Sequence, residues 1–271
     1  MAGMMIRRAH RLGLGLAAAV LRWDAALSVA WHRRAAGSWL AQNIPPQNLV
    51  VGRPARMPEI ELVAKRLQRS GPHPLWDGYR QVYARDGAVP LADAKQVRTS
   101  NEVRSEASMG CFFTWLVERR QPDLVVEFGT AFGVSAMYWA AGLDQNQHGM
   151  LLTFEPNETW HSIARQHLQS FSARVVPVAG TFEANIDAHR NGQTIDIAFV
   201  DAIHTSEFVD AQVRLVMDRL SPGGLIVLDD INFSDDMRAC WNRWADNPHV
   251  AASLALNERV GVLEMREARP A

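Results

Sequence analysis

The chain has 271 residues, 48% of them apolar and 21% charged, with a net charge of −1. That length allows one large domain or one domain with an appendage, and the near-neutral balance gives no basic stripe for a nucleic-acid partner. Only Cys111 and Cys240 occur, each in a helix-like stretch, which argues against a disulfide framework and for a reducing compartment. No Cys/His cluster has zinc spacing.

At the N-terminus, Arg7, Arg8 and Arg11 precede the apolar run from Leu12 to Leu21, a layout shared with signal peptides. The run is about ten residues, short of the roughly 20 that span a bilayer. It continues through Arg22 and Asp24 into Ala25–Trp31, as a helix with a polar edge would. Residues 1 to about 40 are therefore expected to form an amphipathic helix, packed on the protein or lying on a membrane surface. Pro45 and Pro46 break it, and Gly52, Pro54 and Pro58 keep the next stretch irregular. A short helix follows over 58–67, stopped by Gly71-Pro72. Trp76, Tyr79 and Tyr83 then fall at near-helical spacing in a weakly patterned stretch. From Asn101 to Arg120 the apolar positions Met109, Phe112, Phe113, Leu116 and Val117 share one helical face, and Arg119-Arg120 suit its C-terminus.

After Pro122 strands alternate with helices. The expected order is strand 123–128, helix 133–142, strand 150–155, helix 158–170, strand 174–178, helix 182–190, strand 195–200, helix 206–220, strand 225–229 and helix 234–245. Two final strand-like runs, 250–256 and 259–265, are separated by Asn257-Glu258 and must form a hairpin, since no helical crossover fits between them. The pattern predicts an α/β, Rossmann-like, doubly wound and mostly parallel seven-stranded sheet with one antiparallel strand. Residues 1–100 are expected to be an N-terminal helical extension and 101–271 the α/β domain.

Four strands end in acidic residues: Glu127 near the end of the first, Glu155, Asp201 and the Asp229-Asp230 pair. In an open parallel sheet the carboxyl ends line the ligand crevice. Glu127-Phe128-Gly129-Thr130-Ala131-Phe132-Gly133 reads as a strand end, a tight glycine turn and a helix start. Dinucleotide enzymes use such turns with a third glycine for pyrophosphate. Here that glycine is missing, and a carboxylate precedes the turn, where it would suit a cationic cofactor. This turn resembles the first motif of class I S-adenosylmethionine-dependent methyltransferases. Glu155, at the end of the next strand, can hold ribose hydroxyls, which an NAD enzyme requires as well.

Asp201-Ala202-Ile203-His204 and Asp229-Asp230, tipping neighbouring strands, resemble the metal site of catechol O-methyltransferase-like and macrolide or sugar O-methyltransferases. The resemblance covers roughly residues 100–265. It implies that Gly129, Thr130, Gly133, Ser135, Gly180, Thr181, Phe182 and Asp201 join Glu127 and Glu155 in holding S-adenosylmethionine. It also implies that Asp201, Asp229 and Asp230 bind Mg²⁺. Adjacent carboxylates repel unless a cation sits between them, and oxygen ligands suit Mg²⁺. His204 stands where catechol-type enzymes carry a lysine base, and an imidazole can take a hydroxyl proton; Asp201 is counted with it as catalytic. Trp241, Trp244 and Phe233 could wall the acceptor pocket or serve the core. Asp235 and Asp236 read as helix-start carboxylates behind the N-cap Ser234.

The activity so implied is a cytoplasmic, Mg²⁺-assisted O-methyl transfer to a small hydroxylated molecule. A homo-oligomer and a peripheral membrane contact through residues 1–40 stay open. The alternatives are an NAD-dependent oxidoreductase and a non-catalytic methyltransferase-like binding module.

Overall fold

A computed structural model describes residues 24–79 and 97–266. The expected alternation is present. β5 (Leu124–Phe128), β6 (Met150–Glu155), β7 (Val175–Ala179), β8 (Ile195–Val200) and β9 (Leu220–Leu228) form a parallel sheet in the order β9-β8-β5-β6-β7. The β10 (Val250–Leu256) and β11 (Val260–Met265) hairpin inserts β11 antiparallel against β9. Three residues, Asn257–Arg259, connect them, and Asn257 and Glu258, with φ of 51° and 56°, are the left-handed central pair of the turn. β9 begins earlier than expected because Leu220 already pairs with Ile195, and Ser221–Gly224 bulge out before pairing resumes at Leu225.

Strand residues alternate between two cores. Val125, Leu151, Ile197, Phe199 and Val227 join one apolar cluster with α4 (Ala107–Arg120) and α5 (Val134–Asn146). Leu124, Val126, Leu152, Ala198 and Ile226 join the other. Helices on both faces leave every parallel strand buried on both sides, which is why these runs are continuously apolar.

The N-terminal expectation is corrected. Residues 1–23, including most of the proposed amphipathic helix, lie outside the described residues, as does Tyr83. Ala25–Arg33, however, is a strand, β1, pairing antiparallel with β10 and with β2 (Asn48–Val51). The main sheet thus has nine described strands, and β3 (His73–Pro74) and β4 (Val97–Arg98) form a separate antiparallel pair. Leu27 and Val29 are buried between exposed Ala26, Ser28 and Ala30, a period of two that alanine-rich composition masked. The edge of β10 supplies the reason: an added strand pairs its free N–H and C=O groups in a ladder. Glu264 of β11 accepts the backbone N–H groups of Trp39 and Leu40 at 2.8 and 2.7 Å, which opens α1 (Trp39–Asn43). Leu27, Leu40, Leu49 and Ile60 share one core with Phe112 and Val125. Residues 25–67 are therefore part of the sheet and its packing, and not a helical extension.

α2 (Met57–Arg69) matches its expectation, whereas the single helix expected over 101–120 is two. A Thr99/Glu102 capping box starts α3 (Ser100–Val103), and Arg104 is extended. That extended backbone lets the Arg104 guanidinium reach Glu61 at 3.0 Å. Among the described residues no helix is long and apolar enough to cross a membrane.

If β1 is integral to the core, Leu27→Ala should cost about 2–5 kcal/mol, read as a lower urea midpoint for the whole cooperative transition. A loss confined to a few tenths, or an early separate transition, would mark the segment as an appendage.

Candidate active site

A cavity of ≈ 270 Å³ lies at the carboxyl ends of β5, β6 and β8. β6 flanks β5 on one side and β8 on the other, so the chain's progress across the sheet reverses here, the place where open α/β sheets bind ligands. The β5–α5 turn forms one wall. Gly129 has φ +91°, and a Cβ there would stand 2.2 Å from the Asp201 carbonyl oxygen, so only glycine lets the two strand exits pass each other. Ala131, a non-glycine residue with φ +46°, donates its N–H to Glu155 Oε2 at 2.8 Å. Glu155 Oε1 accepts from Asn157 N at 2.9 Å. The carboxylate that tips β6 is thus oriented by two backbone donors and lines the cavity. Burial pushes Glu155 up to about 7, those two bonds pulling back and Glu127 pushing further.

Glu127 itself is fully buried. Thr153 donates to its Oε2 at 2.5 Å, and the Thr130 hydroxyl in turn lies 2.5 Å from Thr153. Its Oε1 is buried without a hydrogen bond among the described residues. Burial pushes Glu127 up to about 7, with the Ser135 and Thr153 hydroxyls acting the other way.

The acidic side is built by the exits of β8 and β9. His204 Nε2 lies 3.7 Å from Asp201 Oδ1 and 3.6 Å from Asp230 Oδ2, and its ring packs on Phe233. Arg259, the last residue of the β10–β11 connection, forks into the pair: it meets Asp229 at 3.1 and 2.9 Å and Asp230 at 3.0 Å. Burial, then the Asp229 and Asp230 charges, push Asp201 well above the usual carboxylate range. Burial and Asp229 raise Asp230, opposed by His204 and Arg259. Burial works against the Arg259 charge, but Asp229 and then Asp230 hold the guanidinium firmly protonated.

Residues 126–231 match the model of a family described as a methyltransferase domain. The chain has the fold of the class I methyltransferases. Solved structures with the same fold include a Podospora anserina methyltransferase, PaMTH1, bound to S-adenosylhomocysteine. It is 16% identical with a TM-score of 0.53, over 78% of this chain and 96% of that one. The O-methyltransferase TomG of Streptomyces achromogenes, involved in tomaymycin synthesis and bound to S-adenosylmethionine, is 18% identical. Its TM-score is 0.51, over 71% of this chain and 92% of that one. An O-methyltransferase of Bacillus cereus bound to S-adenosylhomocysteine is 19% identical with a TM-score of 0.50, over 76% and 97% of the two chains. At these identities the likeness is one of fold. No curated protein matches the chain.

Within this fold the expected site residues divide. Gly129, Thr130, Ser135, Glu155, Thr181, Phe182, Asp201, His204 and Asp230 line one cavity. Glu127 lies beneath the glycine turn, off the cavity wall. Gly133 caps α5 with φ +81°, and a Cβ there would crowd His167 and Leu168 of α6 (Glu158–Phe171); it does not line the cavity. Gly180 is a turn glycine whose Cβ would meet Asn185 at 2.6 Å. Trp241 and Trp244 are core residues, and Trp244 Nε1 donates to Asp210; Phe233 does border the cavity. Asp235 and Asp236 begin α9 (Asp235–Ala245) as expected, with Ser234 accepting from Met237 N.

Two of the three residues expected to hold Mg²⁺, Asp229 and Asp230, meet Arg259 instead. Asp229 is 2% exposed and both its oxygens are bonded to Arg259. Among the described residues no group of three or more His, Cys, Asp or Glu side chains is arranged to hold a metal ion. Sequence reading missed Arg259, which sits in no motif; its one signal is its place directly after the Asn257-Glu258 turn. Leu75, Trp76, Tyr79 and Val103 were also missed as cavity walls, because they belong to the weakly patterned N-terminal half.

The buried Glu127 makes stability depend on pH. Its carboxyl titrates near 4.5 when unfolded and about 7 when folded, so the folded state holds the proton more tightly. That contribution is complete below about pH 4.5 and is lost as pH rises through 7, on the order of 3 kcal/mol. Glu127→Gln, having no proton to lose, should melt higher than wild type at pH 8 and close to it near pH 4.5. An equal difference in melting temperature at both pH values would contradict the burial argument.

Proposed function

We propose that this chain transfers the methyl group of S-adenosylmethionine to a hydroxyl of a small molecule. The observation carrying the reading is that a carboxylate suited to ribose, Glu155, and an imidazole flanked by carboxylates, His204, open on one cavity. The residues fit the cofactor: Glu155 is pre-oriented by two backbone donors, and Glu127 keeps a buried oxygen unbonded beneath the glycine turn. When bound, S-adenosylmethionine supplies an electrophilic methyl on a sulfonium cation. Glu155 would accept from its ribose hydroxyls, Thr181 and Phe182 would hold its adenine, and Glu127 would offset its positive charge through the turn. Ionisation of Glu127 and Glu155, both poised near neutrality, is favoured by a cation above them.

On the acceptor side His204 takes the hydroxyl proton. The carboxylates of Asp201 and Asp230, 3.7 and 3.6 Å away, stabilise the imidazolium that results. Trp76, Tyr79, Phe208 and Phe233 give the cavity aromatic walls, which favour a flat or apolar acceptor over an extended polymer and shield the transfer from water. Alignment within this enclosure supplies most of the rate gain. No step is assigned to Mg²⁺, because Arg259 already engages two of the three expected ligands, Asp229 and Asp230.

Calorimetry with S-adenosylhomocysteine tests the cofactor half. Wild type should bind, and Glu155→Ala should weaken binding about 10- to 100-fold. Tight binding of NAD with no response to S-adenosylhomocysteine would reject the reading. With an acceptor found by screening hydroxylated metabolites, His204→Ala should lower kcat by about 10²–10⁴-fold while S-adenosylhomocysteine affinity stays within error. Equal losses in both would assign His204 to binding.

A further inference from the structure

We propose that the Arg259 guanidinium is the built-in cation of the acceptor side: it meets Asp229 and Asp230 in place of a divalent ion, and the site takes up no Mg²⁺ or Mn²⁺. The chemistry of the donor set is the first support. Three carboxylates gather at the exits of β8 and β9, and their mutual repulsion requires a cation nearby. Arg259 answers it with two nitrogens on three oxygens, all at 2.9–3.1 Å. A divalent ion binds carboxylate oxygens at about 2.1 Å, and on these oxygens it would be pressed against a guanidinium that stays protonated.

The backbone holds Arg259 in place. Its N–H donates to Leu256 O and its carbonyl accepts from Ile231 N, both at 3.0 Å. The side chain of Asn232 also donates to the Glu258 carbonyl. The hairpin turn and the loop after β9 are thereby tied together, with arginine and aspartates on the two sides of the tie. Asp230 has φ +51°, a conformation Asp tolerates better than most residues, and so keeps its carboxylate beside both Arg259 and His204. Asp229, shut off from solvent, has no oxygen unengaged for a metal.

Two nitrogens of Arg259 are used; Nη1 donates to nothing among the described residues, while the side chain borders the cavity. A fixed guanidinium there offers a hydrogen bond and positive charge to the oxygen that His204 deprotonates. This part rests on the O-methyl transfer reading; the charge balance does not.

The test is a Mn²⁺ titration of the full chain, following free Mn²⁺ by electron paramagnetic resonance. Wild type should show no stoichiometric site up to about 1 mM, and Arg259→Gln should gain one with at least about tenfold higher affinity, lost again in Arg259→Gln/Asp230→Asn. One Mn²⁺ per wild-type chain, displaced by Mg²⁺ and lost in Asp230→Asn, overturns the proposal. So does a variant with native circular dichroism that gains no site. If Arg259→Gln does not fold, the wild-type titration decides alone. Once an acceptor is known, transfer should run equally in EDTA and in Mg²⁺, and a rate that collapses in chelator and returns with Mg²⁺ also overturns it. Failure of S-adenosylhomocysteine binding would reject the methyl-transfer reading and leave the metal result standing.

Discussion

Crowding of negative charge at the carboxyl ends of parallel strands is the constraint on which this site depends. Glu127, Glu155 and Asp229 are nearly or wholly buried and Asp201 is half-buried, where an unpaired carboxylate is expensive. Each finds a different answer. Glu155 leans on two backbone N–H groups, Glu127 on a threonine relay, Asp229 on Arg259, and Asp201 on its own raised affinity for a proton. Three of these answers leave the group sensitive to a cation or a proton arriving in the cavity. Pre-set strain of this kind is what a site handling a cationic cofactor and a hydroxyl proton can use.

The same sheet that brings the carboxylates together also fixes what neutralises them. β11 lies antiparallel against β9, so the turn that begins it sits at the same rim as the exit of β9. Arg259 reaches Asp229 only because of that antiparallel insertion. At the other end of the hairpin pair, β1 closes the edge of β10 and carries α1 and β2 with it. The N-terminal half therefore does two jobs: it completes the sheet, and through Leu75, Trp76, Tyr79 and Val103 it walls the cavity.

Much of the second half was legible in the sequence. Strands 150–155, 195–200 and 250–256 fall where expected, because double-sided burial writes continuous apolar runs between turn residues. The Asn257-Glu258 turn was legible from spacing alone. The N-terminal half was not: Ala25–Trp31 fits helix by composition and strand by alternation, and only the open edge of β10 decides between them. Likewise Thr99 and Glu102 carry a capping box that splits a stretch whose apolar spacing suggested one helix.

By itself, then, the sequence determined the class of fold, the glycine turn and the rim of acidic strand ends, since these rest on local rules of periodicity, backbone freedom and strand polarity. Tertiary structure alone decided which of those residues face the cavity. Gly133 and Gly180 stand outside the cavity lining, Glu127 and Asp229 lie behind the wall, and Arg259 is the cation that meets Asp229 and Asp230. The reason is that Arg259 stands 29 or more positions from the aspartates it meets. No periodicity spans that separation, and only pairing across the sheet brings opposite charges into contact.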